Sequence, residues 1–550
     1  MRTNKQTKRH GRIASAKAGK TVTIGRPAVE ALEPRQLLST YYVTSAGSDS
    51  ATGDAQTAAW KTLNRANAQK LRPGDTVLLA TGQTFNGTIT IPSTESGTKT
   101  APVTFGTYGT ANGRATIKSG AAAGVDIANA AGVVVNNLNF VGSGAATNTA
   151  VGIWVHVDAA AKSLSTLNLK NVDVSGYGRE GMRIFVSAAG SSFNDVKVEY
   201  TNFHDNLYGG LKVTATAHNA NKNYLVNHVN AWNGPGSRLV GGVTGSGIYL
   251  ADVDGARISR CVVHDNGKDG AAPVGIWAAG SNRVTIEYCE SYNNHTATTT
   301  DGGGFDFDWD VTNSTMQYNY SHNNDGPGYI LAAGDHVNSG NTVRYSISEN
   351  DGRRNGRAGM QLWGNVTNAS IYNNVVYMTN TGNSNCAALF AHDMGSNGKR
   401  PQNVAVDNNI FYTTAGAKIL NITRGVAQYG TMKFAGNAYY TSSGTFKIQW
   451  GATLYTAMSD WQTATATQEM VNGVASGYQG DPKLTAAGAG GTIGNADKLR
   501  NLLAYKLSTD SPLINRGVAP PTFLSSTMTD FYGDVLPKGG KYDIGVDEVA

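Results

Sequence analysis

At 550 residues, with 67 glycines and 15% charged residues, the chain is too weakly charged for a disordered polymer and long enough for several ordinary domains. Its formal net charge of +6 sits at one end: residues 1–40 hold nine Lys or Arg against Glu30 and Glu33, and the rest holds 36 basic against 37 acidic residues. A near-neutral body gives no electrostatic footprint for nucleic acid, and no run of about 18 apolar residues offers a transmembrane helix.

Residues 1–40 read as a basic, solvated sorting tail that lacks the apolar stretch of an ordinary signal peptide. Within it, Leu32-Glu33-Pro34-Arg35-Gln36-Leu37-Leu38-Ser39 resembles the LEPR-xLL segment near the start of many large bacterial export and surface proteins. That resemblance implies bacterial export and an extracellular or cell-surface location. Folded structure is expected from Tyr41. Between Ala58 and Leu71, Trp60, Leu63, Ala66 and Leu71 fall on one helical stripe, which Arg72-Pro73-Gly74-Asp75 ends. A short amphipathic helix here suits a plug over the open end of a repeat stack, with Thr76-Val77-Leu78-Leu79 as the first buried strand.

A phrase of glycine, apolar, variable, apolar then recurs, with its glycine at 152, 181, 210, 247, 275, 304, 328 and 359. The steps of 29, 29, 37, 28, 29, 24 and 31 residues mark stacked, quasi-identical units. A second phrase recurs out of phase with it, as in Ile371-Tyr372-Asn373-Asn374-Val375-Val376. Its fourth position reads Thr201, Cys261, Cys289, Asn319, Ser346, Asn374 and Asn409, where Asn suits a left-handed bend. Cys261 and Cys289 should lie on adjacent rungs, as thiols or as a disulfide. The repeats are expected to run over residues 41–421, with 422–550 as an irregular C-terminal cap containing a short helix near Leu454 to Thr463.

Short strands at one coil per ~28 residues describe a parallel β-helix. The chain here resembles the right-handed β-helix repeat proteins of the pectin-lyase-like fold, all-β and single-stranded. Pro73-Gly74-Asp75-Thr76-Val77-Leu78 resembles their N-terminal region. Ser511-Pro512-Leu513-Ile514-Asn515-Arg516-Gly517-Val518, with Asp543-Ile544-Gly545-Val546-Asp547-Glu548, resembles a tail common on bacterial members. Such scaffolds carry lyases, hydrolases, epimerases and non-enzymes, so the resemblance implies a fold before an activity.

If the apolar residues of the glycine phrase face inward, its variable residue faces out. Successive coils then stack these residues ~4.8 Å apart. The ladder reads Trp154, Arg183, Lys212, Tyr249, Trp277, Asp306, Ile330 and Gln361, with Trp363 among the residues two positions on. Aromatic rings suit sugar faces, and Arg or Lys suit carboxylates or sulfates. Trp154, Arg183, Lys212, Tyr249, Trp277 and Trp363 are therefore the candidate contacts for an extended polysaccharide.

Asp301-Gly302-Gly303-Gly304-Phe305-Asp306-Phe307-Asp308-Trp309-Asp310 carries the sharpest chemical signal. Asp306 and Asp308 share a strand face, with Cα atoms ~6.6 Å apart, and can raise one another's pKa. They are the candidate catalytic pair for glycoside hydrolysis. With Asp310 they are alternatively candidate Ca²⁺ ligands. The fold's lyases pair Ca²⁺ with a Lys or Arg base, but Lys212 and Arg183 lie ~14–19 Å from Asp306 by coil spacing. The repeated His204, His264 and His322 read as bend elements. The non-repeated His336 and His392 are candidates for acid or base work at the groove rim.

Together these features predict an exported, monomeric, carbohydrate-active protein. It would cleave an extended polysaccharide as a glycoside hydrolase or Ca²⁺-dependent polysaccharide lyase. A non-catalytic surface adhesion or glycan-binding module is the alternative.

Overall fold

The computed structural model describes residues 38–110, 113–239, 241–394, 398–520 and 528–549. Of the export segment, only Leu38 and Ser39 fall among these. The chain winds into a right-handed parallel β-helix of about 13 turns. Three parallel sheets form its walls. Sheet A holds the glycine phrase and runs from Ile89–Pro92 through Ile153–Val157, Val274–Ala279 and Gly303–Phe307 to Ile448–Trp450. Sheet B runs from Thr40–Val43 to Met432–Ala435, and sheet C from Thr84–Asn86 to Ala438–Thr441 and Tyr478–Gln479. Coiling thus extends past residue 421, the end expected from the repeat phrase. The last coils keep the inward apolar residues, such as Phe434 and Ile448, but drop the glycine.

Strand alternation drives the burial. Ile153, Val155 and Val157 stack on Met182, Ile184 and Val186, all fully buried, and similar columns fill the length of the coil. At the corner between sheets B and C, each coil needs one residue in the left-handed region. Tyr200, Arg260, Tyr288, Tyr318, Tyr345, Asn373 and Asn408 take it, with φ between 45° and 57°. This corrects the expectation by one position, because the fourth-position residue points inward instead. There its side chain caps the neighbouring coil. Asn409 Oδ1 accepts from the Asn374 backbone N–H at 3.1 Å and its Nδ2 at 2.9 Å, while Asn409 Nδ2 donates to Ile371 O at 2.9 Å. Cys289 fills the same rung, its Sγ accepting from Cys261 N–H, and Cys261, Cys289 and Cys386 are free thiols. A second such ladder, Asn266, Asn294, Asn324 and Asp351, lines the bend between sheets C and A. Asn409→Ala should therefore lower unfolding stability by about 3 kcal/mol, since a buried backbone N–H loses its acceptor. Urea unfolding followed by circular dichroism measures it.

The N-terminal plug differs from the expected helix. Only Leu63–Asn67 is α-helical, while Trp60 lies in extended chain bridged to Val43. Asp49 accepts from the Lys61 and Thr62 N–H groups, which fixes the chain before the helix, and Thr62 caps Arg65 N–H. Trp60, Leu63, Ala66 and Leu71 are nevertheless all buried over the end. At the other end the helix Met458–Thr465 brings Trp461 against Phe434, Tyr439 and Trp450.

Residues 478–520 and 528–549 do more than cap. They run back along sheet C and form a second apolar cluster with Tyr320, Ile347, Tyr372 and Ile410. Glu290 receives the N–H groups of Ile493 and Gly494, and Asp497 reaches His228. This segment thus covers the later coils of sheet C, and leaves the candidate ladder of sheet A uncovered by it. Among the described residues no helix is long and apolar enough to cross a membrane.

Candidate functional site

Sheet A places Trp154, Arg183, Lys212, Tyr249, Trp277, Asp306, Ile330 and Gln361 in one continuous register. Exposure along it is uneven. Trp154, Arg183, Lys212 and Tyr249 are half-buried, whereas Trp277 and Asp306 are each only 2% exposed. Trp277 lies flat against Tyr249, with centroids 3.7 Å apart, and its Nε1 donates to Ser246 Oγ at 3.1 Å. Its ring face is therefore taken by its neighbour and is not a platform for sugar. Burial here follows from packing by Ala251, Val274 and Ala279, small or branched residues that leave no gap over the ring.

The carboxylates sit at the next rung. Gly303–Phe307 holds Asp306 within sheet A, and the chain leaves the strand at Asp308. Asp301 precedes the strand on a left-handed residue, φ 52°, followed by Gly302 at φ 77°. This turn needs glycine twice over. A Cβ on Gly302 would crowd Asp325 and Thr296, and one on Gly304 would lie 2.2 Å from Ser321 Oγ. Asp301 and Asp308 are half-buried, while Asp306 is buried with its Oδ1 lacking any hydrogen-bond partner.

All three acids are raised above the ordinary carboxylate range. Burial pushes Asp306 well above the ordinary carboxylate range, and the nearby Asp308 and Asp301 push it further. Burial and then Asp301 lift Asp308 to about 7, against the N–H of Trp309, which donates to Asp308 Oδ1 at 2.9 Å. Burial lifts Asp301 to about 6, opposed by Arg357. Over the cluster, the Tyr249 phenol is raised by burial and then by Asp252, Asp308 and Asp306. The site is a set of neighbouring carboxyls raised chiefly by burial.

Asp301 and Trp309 escaped selection from sequence. Asp301 stands off the ladder, yet it directly precedes three glycines, a signal that a turn returns it to the strand. Trp309 is 40% exposed directly beside Asp308 and is the open aromatic surface here. Trp363 is half-buried two rungs beyond the acids and stacks on His392 at 6.0 Å.

Asp310 is turned away from the other acids. Its carboxylate takes His336 Nδ1 at 2.9 Å and Val337 N–H at 3.2 Å, with His218 at 3.7 Å. It therefore does not join Asp306 and Asp308 around one cation position. Among the described residues, the acids whose oxygens converge within 4.8 Å are Asp530, Asp534 and Asp547, in the C-terminal segment. Asp530 there accepts from the N–H groups of Gly533, Asp534 and Glu548, a turn-closing role.

The histidines divide as their repetition suggests. His204, Trp232, His264, Tyr292 and His322 form one ring stack down sheet C, with successive centroids 4.4, 5.9, 4.7 and 4.8 Å apart. His392 is driven down to about 4, by burial and then Arg357, so its ring is neutral near pH 7 and poorly suited to donate a proton. His336 is exposed at the rim and holds Asp310.

The right-handed β-helix family model matches residues 236–376, the span that carries the acid cluster. A lacto-N-biosidase of Bifidobacterium longum subsp. longum is 25% identical over 541 residues, an alignment covering 78% of this chain and 32% of that protein. The chain thus spans about a third of the length of that curated relative. Among solved structures, the GH136 lacto-N-biosidase from Eubacterium ramulus is similar at TM-score 0.46 and 17% identity, covering 72% of this chain and 66% of that one. A pectate lyase is similar at TM-score 0.40 and 18% identity, covering 93% and 96%.

Proposed function

We propose that the chain is an exported carbohydrate-active enzyme that hydrolyses a glycosidic bond at the Asp301, Asp306 and Asp308 cluster. The observation that carries this reading is the gathering of three carboxyls at the Gly303–Phe307 rung of sheet A, two of them half-buried with pKa values raised to about 6 and about 7. Hydrolysis needs one carboxylic acid to protonate the leaving oxygen and one carboxylate to attack or to activate water. Asp308 and Asp301 can reach a substrate, and Asp308 carries the higher of their two values, which suits the acid. Asp306, beneath them and kept protonated by burial, positions the pair. The name of the Bifidobacterium relative, a glycosidase, supports the class. Export is supported by the basic tail and its LEPR-xLL segment.

Distance removes the two ladder cations as the base of a lyase reaction at these acids. The ladder cations Lys212 and Arg183 stand three and four rungs from Asp306, ~14–19 Å away, too far to remove a proton from a sugar bonded at the acids. The test is a glycan panel read by new reducing ends and by unsaturated-uronate absorbance, with and without chelator. Reducing ends without the absorbance, insensitive to chelator, are the expected result. New absorbance would replace hydrolysis by elimination. Binding without any cleavage would make the protein a glycan-binding module.

Trp309 should supply a stacking face next to the cleaved bond. Trp309→Ala is expected to raise KM about 10-fold with a smaller change in kcat, consistent with loss of an aromatic contact worth about 1–2 kcal/mol. Steady-state kinetics on the active glycan measures this split.

A further inference from the structure

The longest step in the glycine repeat, 37 residues from Gly210 to Gly247, has a structural consequence. Part of the extra length, including Gly241, Val243 and Thr244, forms one wall of a cavity of about 610 Å³ on sheet A. The cavity lies over the Arg183 and Lys212 rungs, three to four coils from the acid cluster. Glu180, Arg183 and Lys212 line it together with Arg179.

Its charged groups are poorly satisfied by one another. Glu180 is 3% exposed, and its Oε2 has no hydrogen-bond partner. The nearest cations stand at the edge of ion-pair range, Arg179 Nε 3.8 Å from Oε2 and Lys212 Nζ 4.0 Å from Oε1. Lys212 Nζ donates instead to Val243 O at 3.2 Å, a bond that ties it to the inserted wall. The Arg183 guanidinium rests 5.6 Å from the Trp154 ring and 4.8 Å from Phe185, and its Nε, like that of Arg179, lacks an acceptor. Three cations face one carboxylate. A structural ion pair would bring these atoms together, whereas here buried donors and an acceptor in the cavity wall are left without partners.

We propose that this cavity is a subsite for an anionic sugar residue, a uronic acid or a sulfate ester, in which Arg179, Arg183 and Lys212 hold the anion and Glu180 Oε2 accepts a hydroxyl or amide N–H from the same residue. Guanidinium groups suit planar carboxylates and sulfates, and the lone acceptor fixes the orientation of the ring. Placing this sugar on the same glycan that is cleaved at Asp301 and Asp308 rests on the hydrolase reading. The binding itself does not. The substrate class is then an oligosaccharide with a charged residue several units from its scissile bond.

The experiment is calorimetric titration of the full chain carrying Asp308→Asn, which prevents turnover. The probes are an oligouronate, its methyl ester, and a sulfated neutral oligosaccharide with its desulfated form. One charged probe should bind at least 10-fold tighter than its uncharged counterpart, with affinity falling as salt rises, and the winning arm identifies carboxylate or sulfate. Adding Arg183→Gln with Lys212→Gln should abolish that preference. Arg179→Gln, on the more exposed rim residue, should weaken it at least 3-fold and serves if the double variant does not fold. Equal affinity for charged and uncharged probes overturns the proposal, as does a preference that survives these substitutions. Turnover of an uncharged glycan alone would sink the subsite and leave the hydrolase reading standing. Charged-probe binding, together with unimpaired turnover in an otherwise unaltered Asp301→Asn chain, would do the reverse.

Discussion

Asp308→Asn and Asp301→Asn are each expected to lower kcat/KM by about 10³-fold, with the fold intact, on a glycan that the parent is found to cleave. A positioned acid or base contributes about 10²–10⁴-fold, equivalent to roughly 3–5 kcal/mol of barrier. Amide for carboxyl preserves volume and removes only the titrating proton. The parent's pH profile supplies the matching signature. The group that attacks or activates water must be ionised, so activity falls as pH drops below about 6, the value near which Asp301 titrates. The group that protonates the leaving oxygen must carry its proton, so activity falls again above about 7, where Asp308 loses it. A narrow bell between those limbs is expected, and its two values belong to the cluster as a whole. Initial rates from pH 4 to 9, with melting curves for each variant, make the measurement. Parent-level turnover in either variant would remove that carboxyl from the reaction.

The regular part of this molecule was legible because the repeat enforces it. Glycine occupies the ladder's first position where sheet C of the same coil presses close: a Cβ on Gly275 would lie 2.1 Å from Ser291 Oγ, and one on Gly247 2.2 Å from Val263 Cγ1. That constraint fixed the register, and with it the neighbours Trp277 and Asp306. What the repeat could not convey is which rungs are covered. Trp277 and Asp306 read as surface residues by alternation alone, yet both are buried, because neighbouring side chains and bends of unequal length close over the middle of sheet A. The same irregularity hid Asp301, which reaches the cluster from a bend, and the cationic cavity, which owes its wall to an insertion. At the corners the pattern showed that a left-handed residue is needed once per coil but not which one. Asparagine suits both the left-handed position and the inward cap beside it, and in Asn373-Asn374 and Asn408-Asn409 it serves both roles in succession.

Asp306→Asn should make the protein more stable at alkaline pH. Asp306 has its folded-state pKa raised well above the reference value of 3.8, chiefly by burial and then by Asp308 and Asp301. Between those two values the folded protein binds more protons than the unfolded chain. Stability therefore declines as pH rises from about 4 through the raised value, the reverse of a carboxylate held by an ion pair. An amide carries no such penalty, and its N–H groups can donate to the remaining carboxylates where Asp306 Oδ1 now lacks a partner. The expected gain is on the order of 2 kcal/mol at pH 8, shrinking toward zero near pH 3. A residue with a purely structural role would lose stability on substitution at every pH. Urea unfolding at pH 4 and pH 8 separates the two. A stability loss that is equal at both pH values would show that Asp306 is a packing element and not a buried carboxyl whose ionisation opposes folding.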